Sequence, residues 1–343
     1  MYASSHEAAG EVCSTTATSP QADDQIEGRL LPIEELMVSS PPAQRNTFTR
    51  RTFFKTGVCG FAGVAVYGVE IDRHWLETTP YEVHLPGLPA EFDGFRILQL
   101  SDIHIDEFTE PYFVRDAVER INRLAPDAVF ITGDFVTHQL FPEKIAEESA
   151  WQCANILAKL KCPQRYAIFG NHDVLVGENL VAEALKDNGI TLLRNWFLPL
   201  ERGKGRVWLA GLDDILEGRP DLETAIPESI RNRPNEPVIL LCHEPDYADS
   251  LLRHPAGQSV ALMLSGHTHG GQIRIPFLPL SHLPPLGQKY IEGWFKLGSM
   301  QLHVNRGLGT VGVPVRFLCP PQLSLHTLRA GPPVEPGSGQ FGA

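Results

Sequence analysis

The sequence predicts an α/β fold: a largely parallel sheet with helices on both faces, and a second, mixed or antiparallel sheet packed against it. Three observations lead there. From about residue 81, short apolar runs alternate with segments of helical periodicity, the pattern of parallel strands joined by crossover helices. In the second half the runs continue but their connections shorten, which suits a separate sheet. The chain has 343 residues, 43% of them hydrophobic, enough to bury a sizeable core.

Taken in order, residues 1–48 carry seven acidic side chains (Glu7, Glu11, Asp23, Asp24, Glu27, Glu34, Glu35) against Arg29 and Arg45, with no sustained apolar period. Such a segment buries too little surface to offset its ordering entropy and is expected to be disordered. Residues 49–71 open with Thr49-Arg50-Arg51-Thr52-Phe53-Phe54-Lys55, and residues 56–69 follow without a charge. An arginine pair, aromatics and a modest apolar run resemble a twin-arginine export signal, retained as an anchor if it is not cleaved. The other reading is an N-terminal helix docked on the domain, since a membrane span takes about 20 apolar residues.

The domain itself is expected over residues 81–329. Residues 95–100 read as a strand. Residues 111–124 place Val114, Ala117, Val118, Ile121 and Leu124 at helical spacing, with Pro111 near the start. Residues 128–132 form a second strand, 143–160 a helix, 166–169 a third strand and 178–187 another helix. Further strands are expected at 191–194, 206–211, 237–242, 260–264, 301–305 and 322–328. Residues 273–300 read as a long, apolar, proline-rich loop, either functional or a flap covering the core. Residues 330–343, rich in Gly and Pro, form a flexible tail.

Composition excludes some functions. A net charge of -12 disfavours a general binder of nucleic-acid backbones. It does not exclude a small phosphorylated substrate, because bound cations reverse the local sign. The six cysteines contain no C-x-x-C pair, so neither a zinc ribbon nor a thioredoxin-type motif is present, and they read as small buried hydrophobes.

Five polar blocks each follow an apolar run: Ser101-Asp102-Ile103-His104, Gly133-Asp134, Gly170-Asn171-His172-Asp173, His243-Glu244 and Gly266-His267-Thr268-His269. Ligand sites of α/β sheets lie beyond the carboxyl ends of strands, so five such blocks converge in space. Carboxylates, imidazoles and an amide oxygen suit a binuclear centre of hard to borderline ions such as Mn, Fe or Zn. In Asp102-x-His104 and His267-x-His269, extended backbone would put both side chains on one face. The same alternation turns Cys242 away from His243. Each block alone is weak; the ordered set carries the argument.

These blocks resemble, in order, the calcineurin-like metallophosphoesterase pattern from about residue 93 to 328. Ser265-Gly266-His267-Thr268-His269-Gly270-Gly271-Gln272 and Arg306-Gly307-Leu308-Gly309-Thr310 are similar in particular to its YaeI/YkuE-type bacterial phosphodiesterase branch. That branch is known for twin-arginine signals. The resemblance implies a four-layer α/β/β/α sandwich with two mixed sheets and two divalent metal ions. Asp102, His104 and His269 would hold one ion, Asn171, His243 and His267 the other, and Asp134 would bridge them. His172 would contact the phosphate and protonate the leaving oxygen without holding metal; Asp173 could orient it. Glu244, His138 and His303 are expected to be structural or solvated, and His282 has no assigned role.

The function implied is hydrolysis of a phosphomonoester, phosphodiester or pyrophosphate bond by a hydroxide shared between the ions. A non-catalytic metal-binding scaffold and a mononuclear zinc hydrolase are the alternatives. The apolar loop and the export signal together suggest a lipid-linked or cell-envelope phosphate as substrate. The twin-arginine translocase would be a partner if the protein is exported, and no specific nucleic-acid partner is expected. Its place would be the outer face of the cytoplasmic membrane, exported or anchored; the alternative is cytoplasmic.

Overall fold

The computed structural model describes residues 49–331, apart from 107–108, 139–142, 232, 234 and 281–282. The expectations for residues 1–48, for His282 and for nearly all of the tail therefore lie outside the described residues. Two six-stranded sheets form the domain. The first contains β1 (Glu77–His84), β2 (Arg96–Leu100), β3 (Ala128–Thr132), β4 (Arg165–Ile168), β5 (Thr191–Leu192) and β12 (Gln322–Arg329), in the order β1-β12-β2-β3-β4-β5. Strands β2 to β5 run parallel, β12 is antiparallel to β2, and β1 is parallel to β12.

The second sheet contains β6 (Trp196–Arg202), β7 (Gly205–Gly211), β8 (Val238–Leu241), β9 (Val260–Ser265), β10 (Gly293–Leu297) and β11 (Met300–Val304), in the order β10-β11-β9-β8-β7-β6. Its inner pairs are parallel and its two edge hairpins antiparallel. Both sheets are thus mixed, as expected.

Three apolar layers separate four layers of structure. Ile97, Phe130, Leu209, Ile239 and Leu264 belong to the layer between the sheets. Leu98, Val129 and Ile131 face the helices α2 (Pro111–Leu124), α3 (Glu143–Leu157) and α4 (Asn171–Asp187). The outer face of the second sheet is closed by Leu222 and Ala225 of α5 (Leu222–Ala225), and by Ala248 and Leu251 of α6 (Ala248–Leu251). Strands buried on both faces have no polar side to alternate with, which is why β3 and β8 read as unbroken apolar runs. In α2, Phe113, Val114, Ala117, Val118 and Ile121 form the buried stripe, Pro111 opens the helix, and Ala125 ends it at φ 47°.

The structure differs from expectation in three places. Strand β1 begins at Glu77, and β6 pairs antiparallel with β7; both have weak alternation and gain their order from neighbouring strands. The segment 273–300 is not one loop. Residues Gly293–Leu297 are β10, and Trp294 packs against Tyr81 and His303. The remaining loop divides: Tyr290 packs into the outer core of the second sheet, whereas Ile275, Phe277 and Leu278 turn outward. Before the domain, α1 (Arg50–Val66) continues as helical turns to His74, and its side chains through Val66 are exposed from Arg51 onward. The cysteines among the described residues are free, and all but Cys59 are buried.

Candidate metal centre

The five polar blocks leave their strands at the same end of the molecule, but from two sheets rather than one. Asp102 and His104 follow β2, Asp134 follows β3, and Asn171 and His172 start α4 after β4. His243 follows β8, while His267 and His269 follow β9. Where the sheets meet, the side chains face each other. Nε2 of His104 lies 3.3 Å and Nε2 of His243 3.2 Å from Oδ2 of Asp134, and Nε2 of His269 lies 3.5 Å from Oδ1 of Asp102. Ligand atoms of Asp102, His104 and His269 lie within 4.8 Å of one another, as do those of Asp134, His243 and His267. His172 is equally close to His104 and Asp134.

Backbone conformation rather than pleat alternation aims these groups. Asp102, His104, Asp134, His267 and His269 have φ of 48°, 47°, 56°, 73° and 51°. The expectation that extended backbone aligns the two Asp-x-His and His-x-His pairs is therefore corrected: each pair is turned into the site by left-handed residues. That conformation costs a non-glycine residue about 1–2 kcal/mol, and it persists where surrounding contacts enforce it. Gly133, at φ 93°, permits a close approach: a Cβ there would stand 2.6 Å from the Gly170 nitrogen.

Much of that enforcement comes from Asp173. Its Oδ2 accepts from the Asp134 N–H at 2.8 Å and the Gly170 N–H at 2.9 Å, and its Oδ1 accepts from Phe135 N–H at 2.8 Å. It does not touch His172, so its role is to clamp the ends of β3 and β4 together, not to orient the imidazole. An acidic residue at the third position of a helix is a capping signal, and that much was visible in the sequence.

The hydrogen bonds define which ring nitrogens face inward. Nδ1 of His243 donates to the Thr132 carbonyl at 2.6 Å, and Nδ1 of His104 meets Thr137 Oγ1 at 3.3 Å, whose hydroxyl donates to Asp106. Nε2 of His267 donates to the Pro285 carbonyl at 2.8 Å. Each of these rings thus turns its other nitrogen to the centre. His172 is the reverse: its Nδ1 accepts from the His138 N–H at 2.9 Å, which leaves Nε2–H as a donor. His269 is held differently. Its Nδ1 lies 3.5 Å from Arg316, a fully buried guanidinium whose other bonds go to the carbonyls of Arg306, Gly309 and Cys319.

Burial and mutual charge set the electrostatics. Burial resists ionisation of Asp134, but His243, His172 and His104 outweigh it and hold its carboxyl well below the usual range. Burial likewise opposes protonation of His104 and His243, and Asp134 overrides it and raises both. Burial, reinforced by His243, takes His267 down to about 3. Burial takes His172 down to about 4, against the pull of Asp134.

Three buried side-chain atoms here lack a well-directed hydrogen bond: His104 Nε2, His243 Nε2 and Asn171 Oδ1. A buried polar group left unpaired costs about 1–3 kcal/mol. His104 Nε2 and His243 Nε2 lie against the Asp134 carboxylate, and imidazoles, carboxylates and an amide oxygen make a donor set that fits divalent cations.

The remaining candidates are structural. Cys242 packs in the outer core of the second sheet. Glu244 is buried against Asp214 and accepts from the Ile215 N–H. His303 and His326 both donate to Gln99 Oε1 between the sheets. A pocket of about 540 Å³ opens over the centre. Asp134, Asn171, His172, His267 and His269 form its floor, and Gln272, Ile273, Pro284, Val311 and Val313 line its walls. A hollow of about 640 Å³ beside Arg115, Glu147, Trp151 and Lys159 lies away from these groups.

A two-sheet α/β sandwich whose strand ends gather imidazoles and carboxylates in one pocket is the architecture of a metal-dependent hydrolase. The chain belongs to the calcineurin-like phosphoesterases, whose family profile matches residues 95–271. It is 34% identical to the uncharacterized metallophosphoesterase YkuE of Bacillus subtilis, over 82% of this chain and 98% of that protein. It is 30% identical to the phosphodiesterase YaeI of Escherichia coli, over 82% of this chain and 99% of that one. To the UDP-2,3-diacylglucosamine pyrophosphatase LpxG of Chlamydia trachomatis it is 25% identical, over 76% and 91%. The protein is therefore a phosphate-ester hydrolase of a metal-dependent family, as the resemblance implied.

Proposed function

We propose that the enzyme works with two divalent ions. Asp102, His104 and His269 would hold one, Asn171, His243 and His267 the other, and Asp134 would bridge them. The observation that carries this is the approach of His104 Nε2 and His243 Nε2 to Asp134 Oδ2, at 3.3 and 3.2 Å, in a pocket where the buried Asn171 Oδ1 has no hydrogen-bond partner. When bound, such ions supply an activated water and neutralise phosphoryl oxygens.

The chain's own residues do the rest. Asp173 and the left-handed turns hold the ligands in place before any ion arrives. His172, as an Nε2–H donor over the pocket floor, binds a phosphoryl oxygen and delivers a proton to the departing oxygen. The walls from Ile273, Pro284, Val311 and Val313 exclude water and favour an apolar substituent on the phosphate.

The substrate we infer is a lipid-linked or cell-envelope phosphate. The apolar walls and the lipid-bearing substrate named for LpxG support it. The arginine pair and apolar helix at 49–71 support export through the twin-arginine translocase and retention on the outer face of the cytoplasmic membrane. The deciding experiment is a panel of phosphomonoesters, diesters and pyrophosphates, soluble and lipid-linked, each assayed with Mn, Fe and Zn. Hydrolysis of a lipid-linked ester in preference to its soluble analogue is expected. Equal rates would remove the substrate assignment, and two bound ions without turnover on any ester would make the protein a scaffold.

A further inference from the structure

The wall of the pocket is continuous with the helix that precedes the domain. Residues Arg51–His74 form a helical run of 24 residues, long and apolar enough to cross a membrane. Phe53, Phe54, Val58, Phe61 and Val64 are exposed along it, and residues 56–69 carry no charge. With no charged side chain on any face from residue 56 to 69, no side of this stretch is built to face water, and hydrocarbon is the surrounding that covers it whole.

The end of this run is tied into the loop 311–319. The Arg316 N–H donates to the Gly68 carbonyl at 3.1 Å, and Tyr67 meets Phe317 edge-on at 5.8 Å. Gly68 is packed so closely that a Cβ would lie 3.0 Å from both the Arg316 carbonyl oxygen and Val315 Cγ1. That loop is in turn bound to the segment after the last histidines. Gln272 Nε2 donates to the Val311 and Val313 carbonyls, each at 3.1 Å, and Gln272 Oε1 accepts from the Val311 N–H at 2.9 Å. The Phe317 N–H donates to Gln272 O at 3.0 Å, and the Arg274 N–H to Phe317 O at 2.9 Å. Helix end, loop and pocket wall are thus one hydrogen-bonded unit. From it Ile275, Phe277, Leu278, Val313 and Leu318 project into solvent, Phe277 with its whole surface.

We propose that this apolar rim is a bilayer-docking face. With the helix in the membrane, Ile275, Phe277, Leu278, Val313 and Leu318 enter the same leaflet, and the pocket opens onto the lipid headgroups. The partner is a phospholipid surface. The substrate class, which rests on the phosphoesterase reading above, is a phosphate ester reached while its lipid stays in the bilayer. A stretch of 14 residues without charge on any face, joined through a backbone hydrogen bond to the rim, argues for lipid over a protein partner, whose groove would leave part of that stretch uncovered.

The test uses the full chain with Cys13→Ser and Cys59→Ser, reconstituted in phosphatidylcholine vesicles. A polarity-sensitive fluorophore is placed at Phe277→Cys. A reference probe goes at Lys204→Cys, an exposed residue in the β6–β7 turn at the end of the sheet opposite the site. The Phe277 probe should shift to shorter wavelength and be quenched several-fold by chain-brominated lipid, while the Lys204 probe stays aqueous. A Phe277 probe as aqueous as the Lys204 probe overturns the proposal. So does a shift that appears without lipid and grows with protein concentration, because a second copy would then cover the face. Metal-dependent hydrolysis of a soluble aryl phosphodiester, measured on the same samples, reports the catalytic reading separately. A quenched probe without turnover sinks that reading alone, and turnover with an aqueous probe sinks the docking face alone.

Discussion

Replacing Asp173 by Asn tests whether one buried carboxylate holds the metal-binding loops in register. Asp173 is fully buried and accepts from four backbone N–H groups beyond the ends of β3 and β4, those of Asp134, Phe135, Val136 and Gly170. Asparagine keeps the volume but has one oxygen. Turned toward Asp134 and Gly170, that oxygen keeps two bonds and sets an NH2 group against the Phe135 N–H. Burial and the neighbouring Asp134 push the Asp173 carboxyl up to about 7, so the lost bond counts as an ordinary one; with a buried donor left unpaired the cost is about 3 kcal/mol, about 1 for the first and about 2 for the second. For a domain of this size each kcal/mol moves the melting temperature by about 2–4 °C, so a fall of about 6–12 °C is expected. The assay is thermal unfolding followed by circular dichroism, with chelator present so that ion binding does not contribute. A midpoint within about 2 °C of the parent protein, an order-of-magnitude threshold on the same scale, would refute the clamp.

Three other outcomes follow from the same geometry. His172→Ala should retain its ions and lose about 100-fold or more in turnover, the range for a positioned proton donor; full activity would remove His172 from the chemistry. Asp134→Asn should lower occupancy of both ions, read by elemental analysis, because its carboxylate lies between His104 and His243; unchanged stoichiometry would contradict a bridge. Burial takes His326 down to about 3. The unfolded chain therefore binds a proton that the folded one refuses as pH falls below about 6.5, and stability is lost in acid. From pH 7.5 to 5.5 the loss from this group is about 1.4 kcal/mol. His326→Gln, which can still donate to Gln99, should show a smaller drop in melting temperature over that interval; an equal drop would assign the acid sensitivity to other groups.

By itself the sequence determined the fold class, most of the elements and which polar blocks stand at the strand ends. Residues 111–124 and 128–132 were bounded from periodicity because their apolar spacing is set by burial on a helix stripe and between two layers. The strand-end blocks were legible because each polar group interrupts an apolar run at the point where a strand must stop. Strands β1, β6 and β10 were not legible, since their order depends on a partner strand remote in the chain. Nor was the angle of the ligands: five of them sit at positive φ, a conformation that local sequence disfavours and that Asp173, Gly133 and the neighbouring loops impose. The tertiary structure alone decided that two sheets, rather than one, deliver the ligands. It also joined the helix before the domain to the wall of the pocket. Both are contacts between segments far apart in sequence, and their energies belong to the packed pair rather than to either segment.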